Sequence, residues 1–187
     1  MGLYSCPIHC VAVQAHTSGS AVIGTDAGHC AILDVRSGLA EWCWQDQRKR
    51  IADVASVPGS DLCSVVVAYE DGQLGLLDLR RQGKAAMLAH VVGGVRTDCI
   101  VTDGNSALAG THKGLLLWNL DPAAEQTDQD IETGISCNGA GMAFWVDNDS
   151  SSAAVTCLHA FDHQEEFRVA VGHGNGVIHL CSGNKSK

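Results

Sequence analysis

The sequence predicts an all-β chain made of a repeated unit of short strands. A polar turn with glycine, an apolar run and a final Asp or Asn recur in TDAGHCAILDVR, YEDGQLGLLDLR and THKGLLLWNLD, and more weakly in GHGNGVIHLC. The apolar runs are rich in Val, Ile, Leu and Ala, and no segment sustains the helical period of about 3.6 residues. The hydrophobic content of 45% favours a folded chain. Recurrence of this kind indicates a repeat architecture.

The glycines of the four turns measure the repeat. Gly28, Gly72, Gly114 and Gly176 follow one another at spacings of 44, 42 and 62 residues. The first two spacings match the roughly 40–45 residues of a four-stranded propeller blade. The third is longer because an acidic segment, residues 121–136, interrupts the pattern. We expect this segment to be an exposed excursion between the third and fourth strands of its unit, since buried unpaired carboxylates are costly.

Each unit divides into short strands at Gly, Asp, Asn or Ser. The first unit gives CVAVQA, SAVIGT, CAILDV and AEWCWQ, and the second gives IADVASV, CSVVVAY, QLGLLDL and KAAMLAH. The third gives DCIVT, ALAGT, LLLWNL and, beyond the acidic segment, MAFWV. The fourth gives only AVTCLHA, FRVAVG and VIHLC, so its outer strand is missing or is donated from elsewhere, with the N-terminal MGLYSCPI as one candidate donor.

The ends of the third strands resemble those of WD40 repeats. The pairs at the position of the family's Trp-Asp are Leu33-Asp34, Leu77-Asp78 and Trp118-Asn119. The resemblance implies one WD40-like β-propeller region, 1–187, with blades near residues 8–45, 51–90, 95–147 and 153–181. It also implies a noncatalytic scaffold or adaptor that binds other proteins as a subunit of a complex. Because WD40 rings usually have about seven blades, we expect four to form an open arc, a partial propeller that another chain or further sequence completes.

Composition limits the other functions. The formal net charge of −9 disfavours nonspecific binding to nucleic acid, which needs a basic surface. No apolar run approaches the roughly 18 residues of a membrane span. The nine cysteines are scattered, and several lie inside apolar runs. This usage favours the cytoplasm or another reducing compartment over a disulfide scaffold.

Two motifs suggest chemistry. CPIHC brings Cys6, His9 and Cys10 together, and thiolate with imidazole suits zinc, although no second pair follows at a matching spacing. A small all-β protein with a Cys/His metal-binding or thiol-redox site is therefore the alternative function. VAVGHGNGV resembles a phosphate loop but lacks the following helix that a dinucleotide site needs. We expect no enzymatic activity, no cofactor, no metal and no small-molecule substrate.

The resemblance also implies a binding rim. In WD40 proteins the turns between the second and third strands and the connections between blades lie on one rim, which is often the binding face. Here that rim would contain Arg48, Lys49, Arg50, Glu70, Asp71, Arg96, His112, Lys113 and His173. RKR (48–50) is the only basic cluster. It is either a solvated loop or an anchor for an acidic partner, since Arg binds carboxylates with two parallel hydrogen bonds.

Two units end on Asp-x-Arg, and the four residues are Asp34, Arg36, Asp78 and Arg80. This pattern resembles the WD40 substrate receptors of cullin-type ubiquitin ligases, in which the Arg contacts the adaptor. The resemblance implies a receptor-like role. A local salt bridge at the strand end explains the same pattern without such a role.

Overall fold

The computed structural model describes residues 7–13, 19–45, 49–58, 64–78, 85–91, 95–120, 137–138, 142–145, 153–163 and 166–184. Within these ranges the chain forms 16 strands and no helix, so the predicted all-β class is confirmed. The strands belong to several small antiparallel sheets, none of which closes into a barrel. No helix that could cross a bilayer occurs in the described ranges.

The sheets are numbered in chain order. Sheet 1 contains Ile8–Val13 (β1), Ser20–Thr25 (β2), His29–Asp34 (β3) and Leu39–Gln45 (β4). Sheet 2 contains Ile51–Ser56 (β5), Ser64–Tyr69 (β6), Gln73–Asp78 (β7) and Ala85–Val91 (β8).

Sheet 3 contains Thr97–Thr102 (β9), Ser106–Thr111 (β10), Gly114–Asn119 (β11) and Met142–Trp145 (β13). A short strand, Cys137–Asn138 (β12), pairs instead with β8 and becomes a fifth strand of sheet 2. Sheet 4 contains Val155–His163 (β14), Glu166–His173 (β15) and Ile178–Asn184 (β16).

The sheets pack face to face, with their first strands side by side. β5 contacts both β1 and β9, and β9 contacts β14. Separate apolar clusters fill the spaces between sheets 1 and 2, sheets 2 and 3, and sheets 3 and 4. The second strands β2, β6 and β10 share one burial pattern, in which every residue after the first is buried. A continuous run such as SVVVAY therefore becomes a strand that is covered on both faces.

Every first strand carries a bulge at the same place. The register with the second strand shifts between Ile8 and Cys10, and likewise between Ile51 and Asp53. The same shift occurs between Thr97 and Cys99, and between Val155 and Cys157. A bulge inserts one extra residue and turns the following side chains to the other face. Equivalent positions in the four sheets can therefore be matched residue by residue.

The sequence located most strands but missed part of the connectivity. Met142–Trp145, the described part of MAFWV, pairs with β11, as expected for the outer strand of the third unit. β12 was not predicted, because two residues carry no readable periodicity. Sheet 4 has three strands in the described residues, and the origin of a fourth stays a prediction. The acidic segment 121–136 and most of MGLYSCPI lie outside the described residues, so their predicted roles stay predictions.

Candidate functional site

One edge of the four sheets is built by a repeated backbone contact. In each sheet, the amide of the turn between the second and third strands donates to the carbonyl of the residue just before the first strand. The four pairs are Asp26 N to Pro7 O (3.2 Å), Glu70 N to Arg50 O (3.0 Å), His112 N to Arg96 O (3.3 Å) and Gly174 N to Ala154 O (2.9 Å). The contact places the predicted turns and connections beside each other. We call this edge, where the four turns lie, the turn edge.

Glycine and short polar side chains shape these turns. Gly28, Gly72 and Gly176 have φ values of 78°, 87° and 84°, a backbone conformation that residues other than glycine rarely adopt. The hydroxyl of Thr25 accepts from the amide of His29 at 3.0 Å, and the carboxylate of Asp71 accepts from the amide of Gln73 at 3.2 Å. Such local bonds fix the turn and hold its exposed side chains at the edge.

Arg50 joins sheets 1 and 2 on the turn edge. Its Nε lies 3.8 Å from a carboxylate oxygen of Asp26 and 3.8 Å from one of Glu70. Its Nη2 lies 3.0 Å from Nε2 of His9. Because a guanidinium only donates, His9 Nε2 accepts this bond, and the ring proton is then on Nδ1, which lies 3.5 Å from Asp26. Four side chains from two sheets therefore form one network.

Sheets 2 and 3 add two further ion pairs. Lys49 Nζ pairs with the carboxylate of Asp71 and also lies 3.2 Å from the amide oxygen of Gln73. Arg96 binds Asp98 through Nη2 at 2.7 Å and Nε at 2.8 Å, and this pairing raises the pKa of Arg96. All of these groups are partly exposed: the side chains of Lys49, Arg50 and Arg96 are 33%, 39% and 58% accessible.

The described turn of sheet 4 continues the edge with His173 and Asn175 in place of Asp, Glu, Lys or Arg. His173 lies at the end of β15, where its Nδ1 is 3.2 Å from the carbonyl oxygen of Ala153 and its ring packs edge-on against His179. Asn175 fixes the turn by accepting from the amide of Val177 at 3.1 Å. Among the residues that the structure describes, the charged part of the turn edge is therefore confined to sheets 1 to 3.

The structure places the predicted rim residues unevenly. Lys49, Arg50, Glu70, Asp71 and Arg96 take part in the ion pairs. His112 contacts Arg96 through its ring, whose Nδ1 accepts from the Arg96 amide at 2.9 Å, and Lys113 is exposed in the same turn. His173 lies on the uncharged part, and Arg48 is outside the described residues.

The sequence did not place two of the ion-pair residues on this edge: His9 of the Arg50 network and Asp98, the partner of Arg96. Each is the residue between the two register positions of its bulge, one residue after the start of its strand. If side chains simply alternated between the two faces along each strand, both residues would lie on a face of the sheet and not at its edge. One feature of the sequence could have located them: Cys10, Cys99 and Cys157 each stand two residues after the start of a first strand, so the residue before each Cys is the bulged one.

The Asp-x-Arg endings lie at the opposite end of the third strands. The Asp34 carboxylate accepts from the amides of Arg36 at 2.9 Å and Ser37 at 3.1 Å, and these backbone bonds lower its pKa. A local turn thus accounts for the aspartate, while Arg36 is exposed. Asp78 ends β7, and Arg80 is outside the described residues. The ubiquitin-ligase hypothesis stays a prediction.

The alternative metal or thiol site also has a structural setting. Among the described residues, no three His, Cys, Asp or Glu side chains are grouped so that they could hold a metal ion. Cys6 of CPIHC is outside those residues. Burial, reinforced by the Asp53 carboxylate, raises the pKa of both Cys10 and Cys99 to about 12. Such thiols stay protonated at neutral pH, and the thiolate is the nucleophile and metal ligand.

Comparison with known proteins shows the fold but not the family. No family model matches the sequence, and no curated protein matches it. The crystal structure of the computationally designed Ika4 protein is similar, with a TM-score of 0.62, 16% identity, and coverage of 95% of this chain and 91% of Ika4.

Two natural proteins are similar at comparable levels. Sqt1 of Saccharomyces cerevisiae has a TM-score of 0.66 and 13% identity, and the match covers 96% of this chain and 46% of Sqt1. Raptor of Chaetomium thermophilum has a TM-score of 0.68 and 14% identity, and the match covers 97% of this chain and 16% of Raptor. Both are WD40 proteins. The chain thus has an all-β arrangement similar to parts of WD40 structures and spans less than half of either.

Proposed function

We propose that the chain is a noncatalytic WD40-type interaction module, an open arc of four propeller blades that binds another protein through its turn edge. The observation that carries the proposal is the convergence of charged side chains from three sheets on this one edge. The described thiols Cys10 and Cys99 are held protonated by burial, which disfavours them as members of the alternative metal or thiol site. The distant similarity to WD40 proteins supports the same role.

The pairing on the edge indicates the chemistry of the partner. Lys49, Arg50 and Arg96 already lie beside carboxylates of this chain, so a purely acidic partner would have to displace them. Exposed ion pairs contribute only about 0–1 kcal/mol each, so exchanging them costs little. A partner with both acidic and basic side chains can replace each broken pair with a new one. We therefore propose a partner surface of mixed charge.

Charge reversal on the two edges of the sheets tests this proposal. The double variant Arg50→Glu/Arg96→Glu changes the turn edge, and Arg36→Glu changes an exposed arginine at the opposite end of the strands. Cross-linking in cells of the source organism, followed by mass spectrometry, identifies the bound protein, and its affinity is then measured with purified components. We expect the double variant to lose at least tenfold in affinity while Arg36→Glu binds normally.

The opposite result favours the ubiquitin-ligase hypothesis. If Arg36→Glu abolishes binding and the double variant does not, the Asp-x-Arg end is the interface and the turn edge is not. The metal alternative is tested separately by metal analysis of the reduced chain, where stoichiometric zinc would support it. We place the protein in the cytoplasm or another reducing compartment, a proposal supported by the packed thiols of Cys10 and Cys99, neither of which is in a disulfide.

A further inference from the structure

At two of the three junctions between sheets, the following sheet inserts a side chain over a glycine, whereas Ala68 of β6 holds this position at the junction of sheets 2 and 3. A Cβ atom on Gly24 of β2 would lie 2.5 Å from Cγ2 of Ile51, the first residue of the next sheet. A Cβ atom on Gly110 of β10 would lie 2.5 Å from Cγ1 of Val155, again the first residue of the next sheet. Both Ile51 and Val155 are fully buried. The glycine is therefore a socket that the following sheet fills.

Sheet 4 has the same socket, but no described residue of another sheet fills it. Gly172 occupies the position of Gly24 and Gly110, and among the described residues a Cβ atom there would meet only Cys157 of its own sheet. Ile178 and Leu180 lie opposite Gly172 and Ala170, as Cys30 and Ile32 lie opposite Gly24 and Val22.

These partners differ sharply in burial. Cys30 and Ile32 belong to the cluster between sheets 1 and 2, whereas Ile178 and Leu180 are 72% and 75% exposed. Sheet 4 thus presents the apolar face that sheets 1 to 3 use to hold a following sheet.

Sheet 1 has the side chain that would fit. Ile8 is the first residue of β1 and matches Ile51 and Val155 in position, yet it is 50% exposed. Val11, which matches the buried Val54 of sheet 2, is 57% exposed. On the same face, Ala21 and Ile23 of the neighbouring strand β2 are already buried within the chain. The exposed part of this face is therefore the first strand, β1.

We propose that a second copy of this chain docks head to tail, with Ile8 of one copy entering the Gly172 socket of the other. The contact repeats one already present twice within the chain, at Gly24 and Gly110. A heterologous contact of this kind closes when the copies complete a ring. Two arcs of four sheets give eight, the upper end of the usual range of about 4 to 8 blades, and three arcs exceed it. This inference rests on the propeller arc of the proposed function but not on the turn edge.

Sedimentation of the full chain with matched variants tests the pairing. We expect the wild-type chain to form a dimer of twice its 19.6 kDa mass. Ile8→Asp and Ile178→Lys should each raise the dimer dissociation constant at least tenfold, because each buries an unpaired charge in the contact. Leu39→Lys is the matched control, since Leu39 is also 72% exposed but lies at the other end of the strands of sheet 1. It should dimerise like the wild type.

Mixing the two charged variants distinguishes this contact from others. An Ile8→Asp copy and an Ile178→Lys copy can form one unchanged contact and one that pairs Asp with Lys, so dimers should return on mixing. A monomeric wild type, or dimers that survive both substitutions, would overturn the proposal. So would dimers lost only with Ile178→Lys and not restored by mixing, which indicate a contact between two copies of sheet 4. Arg50→Glu/Arg96→Glu should still dimerise, so failure of the turn edge and failure of the dimer are separable.

Discussion

Sheets 3 and 4 share a local sequence pattern but differ in burial. The second strand of sheet 3, β10, is buried at every position after its first residue, whereas β15 alternates between buried and half-buried residues from 168 to 172. Both strands pair antiparallel on either side, and both carry a glycine opposite the bulge. The difference arises because β10 has a sheet on each face and β15 has one on a single face. The local sequence pattern determines where a strand forms, and the neighbouring sheets determine how far it is buried.

The largest expected difference is between the two isoleucines that begin β1 and β5. Ile51→Ala removes a fully buried side chain from the socket of Gly24 and should reduce the free energy of unfolding by about 3–4 kcal/mol. Ile8→Ala, at the matching position, should cost less than about 0.5 kcal/mol, because Ile8 is half exposed. Urea unfolding measures both values, at concentrations where the chain is monomeric.

Equal losses in the two variants would contradict the matching of sheets 1 and 2. They would mean that Ile8 is anchored in the isolated chain as firmly as Ile51. At higher protein concentration, the dimer contact stabilises the wild-type chain through Ile8. The loss of unfolding free energy in Ile8→Ala should therefore grow with concentration, because this variant weakens the dimer contact.

A smaller effect is expected at the paired glycines of sheets 3 and 4. Gly110→Ala places a Cβ atom 2.5 Å from both Cys99 Sγ and Val155 Cγ1, and this overpacking should cost about 2–3 kcal/mol. Gly172→Ala places a Cβ atom at ordinary contact distance from the Cys157 carbonyl oxygen, 3.8 Å, and too close only to the Cys157 Sγ atom, which is exposed and can rotate away, so its cost should stay below about 1 kcal/mol. Thermal unfolding of the two variants gives the comparison.

Gly174→Ala is the control for the backbone effect of adding a methyl group. Its nearest neighbours, Thr156 Cγ2 and Ala154 O, lie 3.5 and 3.7 Å from the new Cβ atom, at ordinary contact distance. We expect a change within about 0.5 kcal/mol. A Gly172→Ala loss as large as that of Gly110→Ala would show that the socket of sheet 4 is filled in the isolated chain.

The sequence predicted features that depend on a few neighbouring residues and missed those that depend on distant ones. SAVIGT was assigned correctly as Ser20–Thr25, because an apolar run between Gly and Asp suffices to define a buried strand. The four turns were also placed correctly, since Gly28 and its counterparts mark the positive φ that the turns need. The ion pairs of Arg50 were not predicted, because Asp26 and Arg50 are joined only when sheets 1 and 2 pack.

The smallest effect concerns the matched cysteines of sheets 3 and 4, Cys99 and Cys157. Burial, and then the nearby Asp53 carboxylate, raises the pKa of Cys99 from its ordinary 9.0 to about 12. Between these values the unfolded chain releases the thiol proton and the folded chain retains it, so rising pH favours unfolding. The stability is complete below about pH 9 and declines above it, by about 1 kcal/mol at pH 10 from this one group.

Cys99→Ala should remove this part of the alkaline loss, and Cys157→Ala is the matched control at the exposed position of sheet 4. The measurement is the difference in unfolding free energy between pH 8 and pH 10 for each variant, so the constant cost of the smaller side chain cancels. If Cys157→Ala flattens the pH dependence as much as Cys99→Ala does, Cys157 is as buried as Cys99 in solution. At monomeric concentration that result would mean that the chain itself covers sheet 4. If it appears only where the chain dimerises, it would instead place Cys157 inside the contact between the two copies.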